Sequence, residues 1–316
     1  MRYLITGGCG FIGAYVTRYL IREGHEVVIY DFNPNTTLLF HLLNGEQQTK
    51  VTVVAGDTTD LAGFIRTVRK YDIQEIVHLA YMLTSGSEIN PSLAIRINIQ
   101  GTSNVFEAAA ILGLRKVVWA SSITVFGSQA DYAEKCLGND AVHKPRYLYG
   151  ACKSFCEYLG KYYFAKHELD NVGLRFALVY GPGRYSTMTR GTVAGFASEL
   201  IEKPVLSTDP CKIPYGDDVI SWLYVEDAAR SVYLGSQANR TAERAYTICG
   251  DLRPMKEAVS YVQKLLPKAK IEVQPGKLDL FWNHELDPAE KGIGYRPQYS
   301  MERGVEETIK MVQAGL

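Results

Sequence analysis

The chain has 316 residues, of which 47% are hydrophobic and 22% are charged. Such a composition buries a sizeable core and excludes a disordered, collagen-like or linker-dominated chain. Lys plus Arg and Asp plus Glu both number 34, so the formal net charge is zero and no overall field attracts nucleic acid or an anionic membrane.

No segment approaches the roughly 18 apolar residues that cross a bilayer, and the N-terminus lacks the layout of a signal peptide. The six cysteines form no C-x-x-C pair, which argues against a zinc ribbon or a dithiol redox motif. We therefore expect a cytoplasmic protein with reduced thiols, no metal site, and no nucleic-acid or membrane partner.

Short β-branched runs alternate with helical stretches in the first half of the chain. The runs lie at residues 3–5, 27–30, 51–54, 75–79 and 116–120. This alternation predicts βαβ units, and hence an α/β fold with a doubly wound parallel (Rossmann) sheet covered by helices on both faces. A helix over about 149–166 and a strand over 172–178 are expected to continue it.

Past Gly181 the alternation stops, and Pro, Gly and polar residues cluster at 181–190 and 204–218. A helix-like segment, 192–201, lies between these clusters, and helix and strand signals return at 225–236 and 245–249. We predict a dinucleotide-binding domain of residues 1–180 and 221–250. A smaller C-terminal substrate-binding lobe would comprise residues 181–220 and 251–316.

A glycine-rich segment follows the first predicted strand: residues 6–13 read T-G-G-C-G-F-I-G. Gly7 permits a tight turn, Gly10 lets a pyrophosphate approach the backbone, and Gly13 lets the helix pack closely on the strand. The phosphates would lie at the positive end of the helix dipole. The sequence therefore predicts dinucleotide binding.

Asp31 ends the second predicted strand, 18 residues after Gly13. A carboxylate at this spacing accepts hydrogen bonds from the adenosine ribose and repels a 2′-phosphate. No Lys or Arg lies between Glu23 and Lys50 to bind such a phosphate, so NAD is expected rather than NADP. The alternative for Asp31 is an Asx-type turn cap.

The pattern Tyr-x-x-x-Lys occurs at Tyr149/Lys153 and at Tyr162/Lys166. About one such pair is expected by chance, so only its surroundings can distinguish the two. Tyr149 begins a helix after the fifth predicted strand, which ends at Ser122, on the edge where open parallel sheets form active sites. We therefore assign function to the first pair and an ordinary helix surface to the second.

Together these features resemble the extended short-chain dehydrogenases/reductases, also called NAD-dependent epimerases/dehydratases. The resemblance covers essentially the whole chain. Its motifs, in order, are the glycine loop, Gly56-Asp57, His78-Leu79-Ala80, Asn98-x-x-Gly101-Thr102, Ser121-Ser122-x-x-Val125-Phe126-Gly127, Tyr149-x-x-x-Lys153 and Tyr180-Gly181-Pro182. The resemblance implies NAD as cofactor, a small-molecule substrate, and a homodimer formed through the Tyr149 helix and the 101–113 helix.

The resemblance also implies residue roles. The catalytic residues would be Ser122, Tyr149 and Lys153, and the substrate-binding residues Thr84, Ser122 and Arg184. The residues expected along the cofactor, besides Tyr149 and Lys153, are Gly7, Gly10, Phe11, Ile12, Gly13, Asp31, Phe32, Asn33, Asp57, Thr58, Leu79, Ala80, Tyr81, Asn98 and Ala120. We expect His78 in the core beside the cofactor rather than as a base, whereas Asn98 either is an ordinary helix residue or orients a water or a cofactor-side group.

Hydride transfer at a carbon that bears oxygen requires the oxygen to gain or lose a proton. Tyr149 would exchange that proton, and the charges of Lys153 and the oxidised nicotinamide would lower its pKa from about 10 towards neutrality. Ser122 would donate a hydrogen bond to the substrate oxygen, a role for which Ser121 and Thr124 compete.

Several positions depart from the family's patterns. Ser122 is followed by Ile123-Thr124 rather than the Asp-Glu pair of the dehydratases, which disfavours dehydration. Leu178 stands where nucleotide-sugar epimerases usually carry an Asn that contacts the diphosphate, and Ile220-Ser221-Trp222 stands where they tend to place an Arg. The loss of both contacts argues against a UDP-sugar. Arg184 and Arg190 either bind an acidic or phosphorylated substrate or are solvated loop residues.

We therefore expect an NAD-dependent oxidoreductase or epimerase acting at a secondary alcohol of a small polar or sugar-derived substrate. Dehydrogenation is slightly favoured, because residues 121–127 resemble those of short-chain threonine dehydrogenases. A nucleotide-sugar 4-epimerase is the first alternative. A non-catalytic NAD-sensing protein is the second, and the intact Ser122, Tyr149 and Lys153 set argues against it.

Overall fold

The structure is a computed structural model that describes residues 1–187 and 195–316. The strands in these ranges are β1 Arg2–Thr6, β2 Glu26–Asp31, β3 Val51–Ala55, β4 Glu75–His78, β5 Lys116–Ser122, β6 Asn171–Phe176, β7 Leu178–Tyr180, β8 Cys211–Ile213, β9 Val219–Tyr224, β10 Ala245–Ile248, β11 Asp251–Pro254 and β12 Ile271–Val273. The α-helices are α1 Phe11–Arg22, α2 Thr37–Leu42, α3 Gly45–Gln48, α4 Leu61–Lys70, α5 Thr84–Ile89, α6 Pro91–Ile95, α7 Gly101–Leu112, α8 Leu148–His167, α9 Arg184–Thr187, α10 Phe196–Ile201, α11 Lys203–Leu206, α12 Val225–Gln237, α13 Met255–Leu265, α14 Asp287–Ile293 and α15 Met301–Gln313.

Seven strands form one parallel sheet in the order β10-β6-β5-β4-β1-β2-β3. This confirms the predicted doubly wound Rossmann fold. The chain winds in opposite directions on either side of the boundary between β1 and β4, so a crevice opens there at the carboxyl ends of the strands. The glycine loop and the end of β4 both lie at this crevice.

Side chains of the sheet alternate between two hydrophobic layers. Tyr3 and Ile5 of β1 point into the layer that contains α1 and α12, whereas Leu4 points into the layer that contains α4 and α7. Every residue of β5 is buried. Burial on both faces explains why these strands read as continuous apolar runs in the sequence.

The strand predicted over 172–178 is two strands that belong to different sheets. Ala177 separates them and donates its N–H to the Ile248 carbonyl at 3.1 Å, after which the chain turns and Leu178 pairs with Trp222. The single-strand prediction was wrong because both segments are equally apolar, and composition does not report which neighbour a strand pairs with. β7, β9 and β11 form the resulting three-stranded sheet, and β8 pairs with β12.

Helix α8 spans twenty residues and agrees with the helix predicted over about 149–166. The helix predicted over 192–201 is present from Phe196, and its first residues lie outside the described ranges. Among the described helices, none combines the length and the apolar character that a membrane span requires.

Candidate active site

The glycine loop turns sharply from β1 into α1. Gly7 has a φ of +68°, and a Cβ there would lie 2.9 Å from the Ala80 nitrogen. A Cβ on Gly13 would overlap the Gly7 carbonyl oxygen. Gly10 is the N-cap of α1 and supplies no side-chain cap, and the first turn, which begins with Phe11 and Ile12, holds no acidic residue. The positive end of α1 is therefore left for an anionic ligand such as a pyrophosphate.

Asp31 ends β2 and faces this loop. Its carboxylate accepts the N–H of Cys9 and the N–H of Asn33, each at 3.2 Å. The second bond is the Asx-type turn that the sequence offered as an alternative. A carboxylate has roughly four acceptor positions, so this turn leaves capacity for ribose hydroxyls. Phe32 is 79% exposed and lies with exposed Asn33 beside the carboxylate.

The end of β4 closes over the glycine loop. The Thr6 hydroxyl accepts the N–H groups of Leu79 and Ala80 at 3.2 and 3.3 Å. His78 lies between two hydroxyls, with Nδ1 2.7 Å from Thr6 Oγ1 and Nε2 3.1 Å from Thr102 Oγ1. Burial, and then the charge of Lys153, lowers the pKa of His78 well below its usual value. His78 is thus a neutral core residue that supports the crevice.

Asn98 lies in a π-helical turn, Arg96–Gln100, and its side chain binds the Met82 backbone. Met82 N–H donates to Asn98 Oδ1 at 2.8 Å, and Asn98 Nδ2 donates to the Met82 carbonyl at 2.9 Å. These two hydrogen bonds fix the segment between Tyr81 and Thr84. Asn98 therefore orients backbone, which neither of the two alternatives anticipated. Thr84 is half-buried at the start of α5.

Asp57 and Thr58 follow β3 at the same edge of the sheet. Asp57 accepts the Thr59 N–H at 2.8 Å. Thr58 is buried so close to α7 that a Cβ on Gly101 would lie 2.7 Å from its hydroxyl oxygen. These contacts shape the turn beyond Asp31, where the adenine is expected.

Ser122 and Tyr149 meet where β5 ends and α8 begins. The Ser122 oxygen accepts the Thr124 N–H at 3.2 Å and the Thr124 hydroxyl at 2.9 Å, which leaves the Ser122 O–H free to donate. Tyr149 lies within hydrogen-bonding reach of Ser122. Close packing of α8 on this turn needs Gly150, because a Cβ there would overlap the Thr124 carbonyl.

Lys153, one helical turn beyond Tyr149, points into the protein. Its ammonium donates to the Ala120 carbonyl, lies against the Tyr81 ring, and is 5.4 Å from the centroid of the Tyr149 ring. Burial lowers the pKa of Lys153 well below its usual value.

The expected lowering of the Tyr149 pKa by Lys153 is not what the protein alone shows. Burial is the largest effect on Tyr149 and raises its pKa, and the groups that oppose this are Arg184 and then Ser122. The Lys153 ammonium is directed to Ala120 and Tyr81. Arg184 contributes positive charge that favours a Tyr149 phenolate.

Arg184 follows Gly183 at the start of α9. Its guanidinium carbon lies 5.1 Å from the centroid of the Phe11 ring, at the beginning of the cofactor helix. Burial lowers the pKa of Arg184 to about 10, and the neighbouring Glu202 and Tyr149 oppose the shift. Arg184 is thus a charged residue between the glycine loop and Tyr149. Arg190, the other arginine considered for an acidic substrate, lies outside the described residues.

Sequence reasoning missed a buried ion pair directly beneath the catalytic segment. Arg175 donates from Nε and Nη2 to the two carboxylate oxygens of Glu157, at 2.8 and 2.7 Å. Ser121 donates to the same carboxylate at 2.7 Å, and His143 lies 3.5 Å from it. The Ser121 hydroxyl is therefore bound to Glu157, which favours Ser122 as the hydrogen-bond donor to the substrate oxygen. The sequence did carry a signal for this ion pair. Glu157 lies one helical turn after Lys153, and Arg175 stands in an otherwise apolar strand. Because buried charges occur in pairs, the two could have been matched.

Among the described residues there is no group of three His, Cys, Asp or Glu side chains arranged to hold a metal ion. A cavity of about 430 Å³ lies in the C-terminal region, lined among others by Ser221, Cys249, Trp282 and Tyr299. It includes none of the predicted site residues and is separate from the crevice at the sheet edge.

The sequence matches the NAD dependent epimerase/dehydratase family over residues 3–249. The chain belongs to this family. It is 28% identical over 327 residues to UDP-glucuronate 4-epimerase 2 of Arabidopsis thaliana, a match that covers 97% of this chain and 74% of the relative. Its fold is similar to that of a partial consensus L-threonine 3-dehydrogenase, with a TM-score of 0.88, 22% identity, and coverage of 99% and 100% of the two chains. It is also similar to Thermus thermophilus UDP-glucose 4-epimerase in complex with NAD, with a TM-score of 0.84, 24% identity and full coverage of both chains.

Membership of this family makes the protein an enzyme with NAD as its cofactor. The residues present fit that cofactor. The uncapped start of α1 suits the pyrophosphate, Asp31 retains acceptor capacity for the adenosine ribose, and a Cβ at Gly7 or Gly13 would fill the turn. These residues would hold the adenosine half, and Lys153 and Tyr149 lie deeper in the crevice, where the nicotinamide half would reach.

We expect Asp31→Asn to weaken NADH binding about tenfold and to narrow the preference for NADH over NADPH. The amide keeps one oxygen for the turn with Asn33 but loses the negative charge and one acceptor. Fluorescence titration with NADH and with NADPH measures both effects. Asp140→Asn, at an exposed carboxylate, is the control, and an unchanged NADH/NADPH ratio in the Asp31 variant would contradict the assignment.

Proposed function

We propose that the enzyme transfers hydride at a secondary alcohol of a sugar-derived substrate that carries an acidic group. The observation that carries this proposal is that Ser122 and the charge of Arg184 both act on the buried phenol of Tyr149. Arg184 is close enough to Tyr149 for its charge to lower the pKa of the phenol. A cation at this position can serve both an anionic substrate group and a developing phenolate.

The proton is assigned to Tyr149, whose hydroxyl would exchange it with the substrate oxygen. Ser122 would donate its free O–H to the same oxygen and stabilise negative charge there. Lys153 would complete the positive surroundings and hold the ribose next to the nicotinamide. When bound, NAD supplies the acceptor or donor of the hydride.

Binding of the substrate's acidic group is assigned to Arg184. Arg184 Nε is buried without a hydrogen-bond acceptor among the described residues, so the guanidinium retains donors for a carboxylate or phosphate. Curated relatives named UDP-glucuronate 4-epimerases support this assignment, because a glucuronate carries a carboxylate.

A nucleotide-sugar 4-epimerase is the second candidate, favoured by relatives whose matches span 97% of the chain. At the expected diphosphate contacts, Leu178 is buried and apolar, and so are Ile220 and Trp222 of the second segment. A UDP-sugar would therefore need other residues for its diphosphate. Dehydrogenases and epimerases share this fold. The proposed hydride transfer therefore leads either to net oxidation of the substrate or to its epimerisation.

We further propose that residues 1–180 and 221–250 bind the dinucleotide, and that residues 181–220 and 251–316 form the substrate lobe. α12 and β10 support this division because they pack with the large sheet. In the three-stranded sheet, β7 and most of β9 belong to the dinucleotide-binding part and β11 belongs to the substrate lobe. This sheet therefore connects the two parts.

A homodimer is proposed through α7 and α8. Helix α8 exposes Phe155, Tyr158 and Tyr162, and the adjacent α7 exposes Ile111, with exposed fractions of 46, 64, 44 and 54%. The three α8 residues recur at the i, i+3 and i+7 spacing of one helix face. A second copy of the chain would cover this stripe. A cytoplasmic location is proposed as well, supported by the unpaired state of all six cysteines.

Turnover is tested by a screen of UDP-glucuronate, free glucuronate, UDP-glucose and L-threonine with the NAD-loaded enzyme. NADH formation and product stereochemistry are both followed. We expect turnover of an acidic substrate, and Tyr149→Phe should reduce kcat about 10²–10⁴-fold while NAD affinity stays unchanged. Unaltered turnover in Tyr149→Phe would refute the proton assignment. Tyr162→Phe, in the second Tyr-x-x-x-Lys pair, is the matched control.

The dimer is tested by sedimentation of the Tyr158→Glu variant. A charge in the middle of an apolar interface should shift the protein to a monomer. Leu206→Glu, at an exposed apolar residue of α11, should leave the oligomeric state unchanged. A wild-type monomer, or a Tyr158→Glu dimer, would be incompatible with this interface.

A further inference from the structure

Glu202 directly follows α10 and binds the backbone on both sides of Arg184. The Gly183 N–H donates to Oε2 at 2.8 Å, and the Tyr185 N–H donates to Oε1 at 2.9 Å. Glu202 is 2% exposed, so this is a buried carboxylate with each oxygen bound to one side of the same short loop.

The loop is also held from other directions, which makes its position definite. The Tyr15 hydroxyl of α1 donates to the Pro182 carbonyl at 2.8 Å. Gly183 has a φ of +86° and packs so tightly on Leu38 that a Cβ there would overlap the leucine side chain. Glu202 contributes the contacts nearest to Arg184.

The carboxylate of Glu202 uses its oxygens for backbone N–H groups rather than for the guanidinium. The Arg184 side chain turns towards Phe11 and Tyr149. Its Nε atom, as noted above, has no acceptor within the described ranges. A buried acid that fixes the backbone of an arginine without consuming its donors leaves that arginine ready for another anion.

We propose that Glu202 is a positioning residue that holds Arg184 in place for the anionic group of the substrate. This inference rests on the proposed function, because it takes Arg184 as the group that binds the acid. Glu202 does not contact the substrate in this proposal and acts on it through Arg184.

Burial raises the pKa of Glu202 to about 7, and the two backbone N–H bonds, Ser198 and Arg184 oppose that shift. The titratable groups that face Glu202 from other described elements are Arg184 and Tyr15 of α1. At about pH 8 the carboxyl group is therefore ionised, and both of its oxygens can accept the two N–H bonds.

The test is backbone amide hydrogen exchange in the NAD-loaded full-length protein, followed in peptides that cover residues 181–187. Wild type, Glu202→Gln and Glu199→Gln are compared at about pH 8, with rates corrected for intrinsic exchange. Glu199 is the matched control because it lies on α10 and pairs with Lys203 instead of the loop.

Glu202→Gln should be about tenfold less protected than wild type in these peptides, while Glu199→Gln behaves as wild type. Equal protection of wild type and Glu202→Gln overturns the positioning role. If Glu202→Gln folds poorly, Glu202→Asp, which keeps the acid on a shorter side chain, replaces it and should likewise lose protection.

A second measurement separates this inference from the proposed function. Dissociation constants are measured for the same proteins with two pairs of acidic and neutral sugars, UDP-glucuronate with UDP-glucose and free glucuronate with glucose. Wild type should prefer the glucuronate, and Glu202→Gln should reduce that preference about tenfold. Loss of protection with an unchanged preference refutes the link to the anion. A wild type without any preference refutes the acidic substrate itself and with it the role of Arg184, while the exchange data still report whether Glu202 holds the loop.

Discussion

The burial of Tyr149 beside Lys153 is the constraint on which the rest of the site depends. Burial raises the pKa of the phenol and lowers that of the ammonium, so both side chains are driven towards their neutral forms. The Ala120 carbonyl and the Tyr81 ring stabilise the Lys153 charge. Proton transfer at neutral pH then requires further positive charge, and Arg184 is the group that the protein itself provides near Tyr149.

The parallel sheet brings these groups together from distant parts of the chain. β5 ends at Ser122, α8 begins one residue before Tyr149, and the loop after β7 delivers Arg184. Beneath them the Glu157–Arg175 pair joins α8 to β6, so the catalytic helix is fixed to the sheet by a desolvated ion pair. Removal of one partner would leave an uncompensated buried charge, which costs about 3–5 kcal/mol.

Much of this arrangement could be read from the sequence, because periodicity and glycine spacing are local signals. The alternation of strands and helices, the glycine loop and the position of Tyr149 after β5 all depend on residues close together in the chain. The break between β6 and β7 was missed because strand pairing is a long-range property. Glu157 and Glu202 were missed because their partners lie 18 and 17–19 residues away, and only the fold shows that those carboxylates are buried.

The most direct test of this account is a spectroscopic titration of Tyr149, taken as the difference in tyrosinate absorbance between wild type and Tyr149→Phe, with and without NAD. Without NAD, burial should keep the Tyr149 pKa above the usual value of about 10. With oxidised NAD bound, the added positive charge should bring the pKa well below that value. A Tyr149 pKa that is the same in both states, or already below about 10 without NAD, would contradict the claim that burial raises the pKa of the phenol and that neighbouring positive charge lowers it.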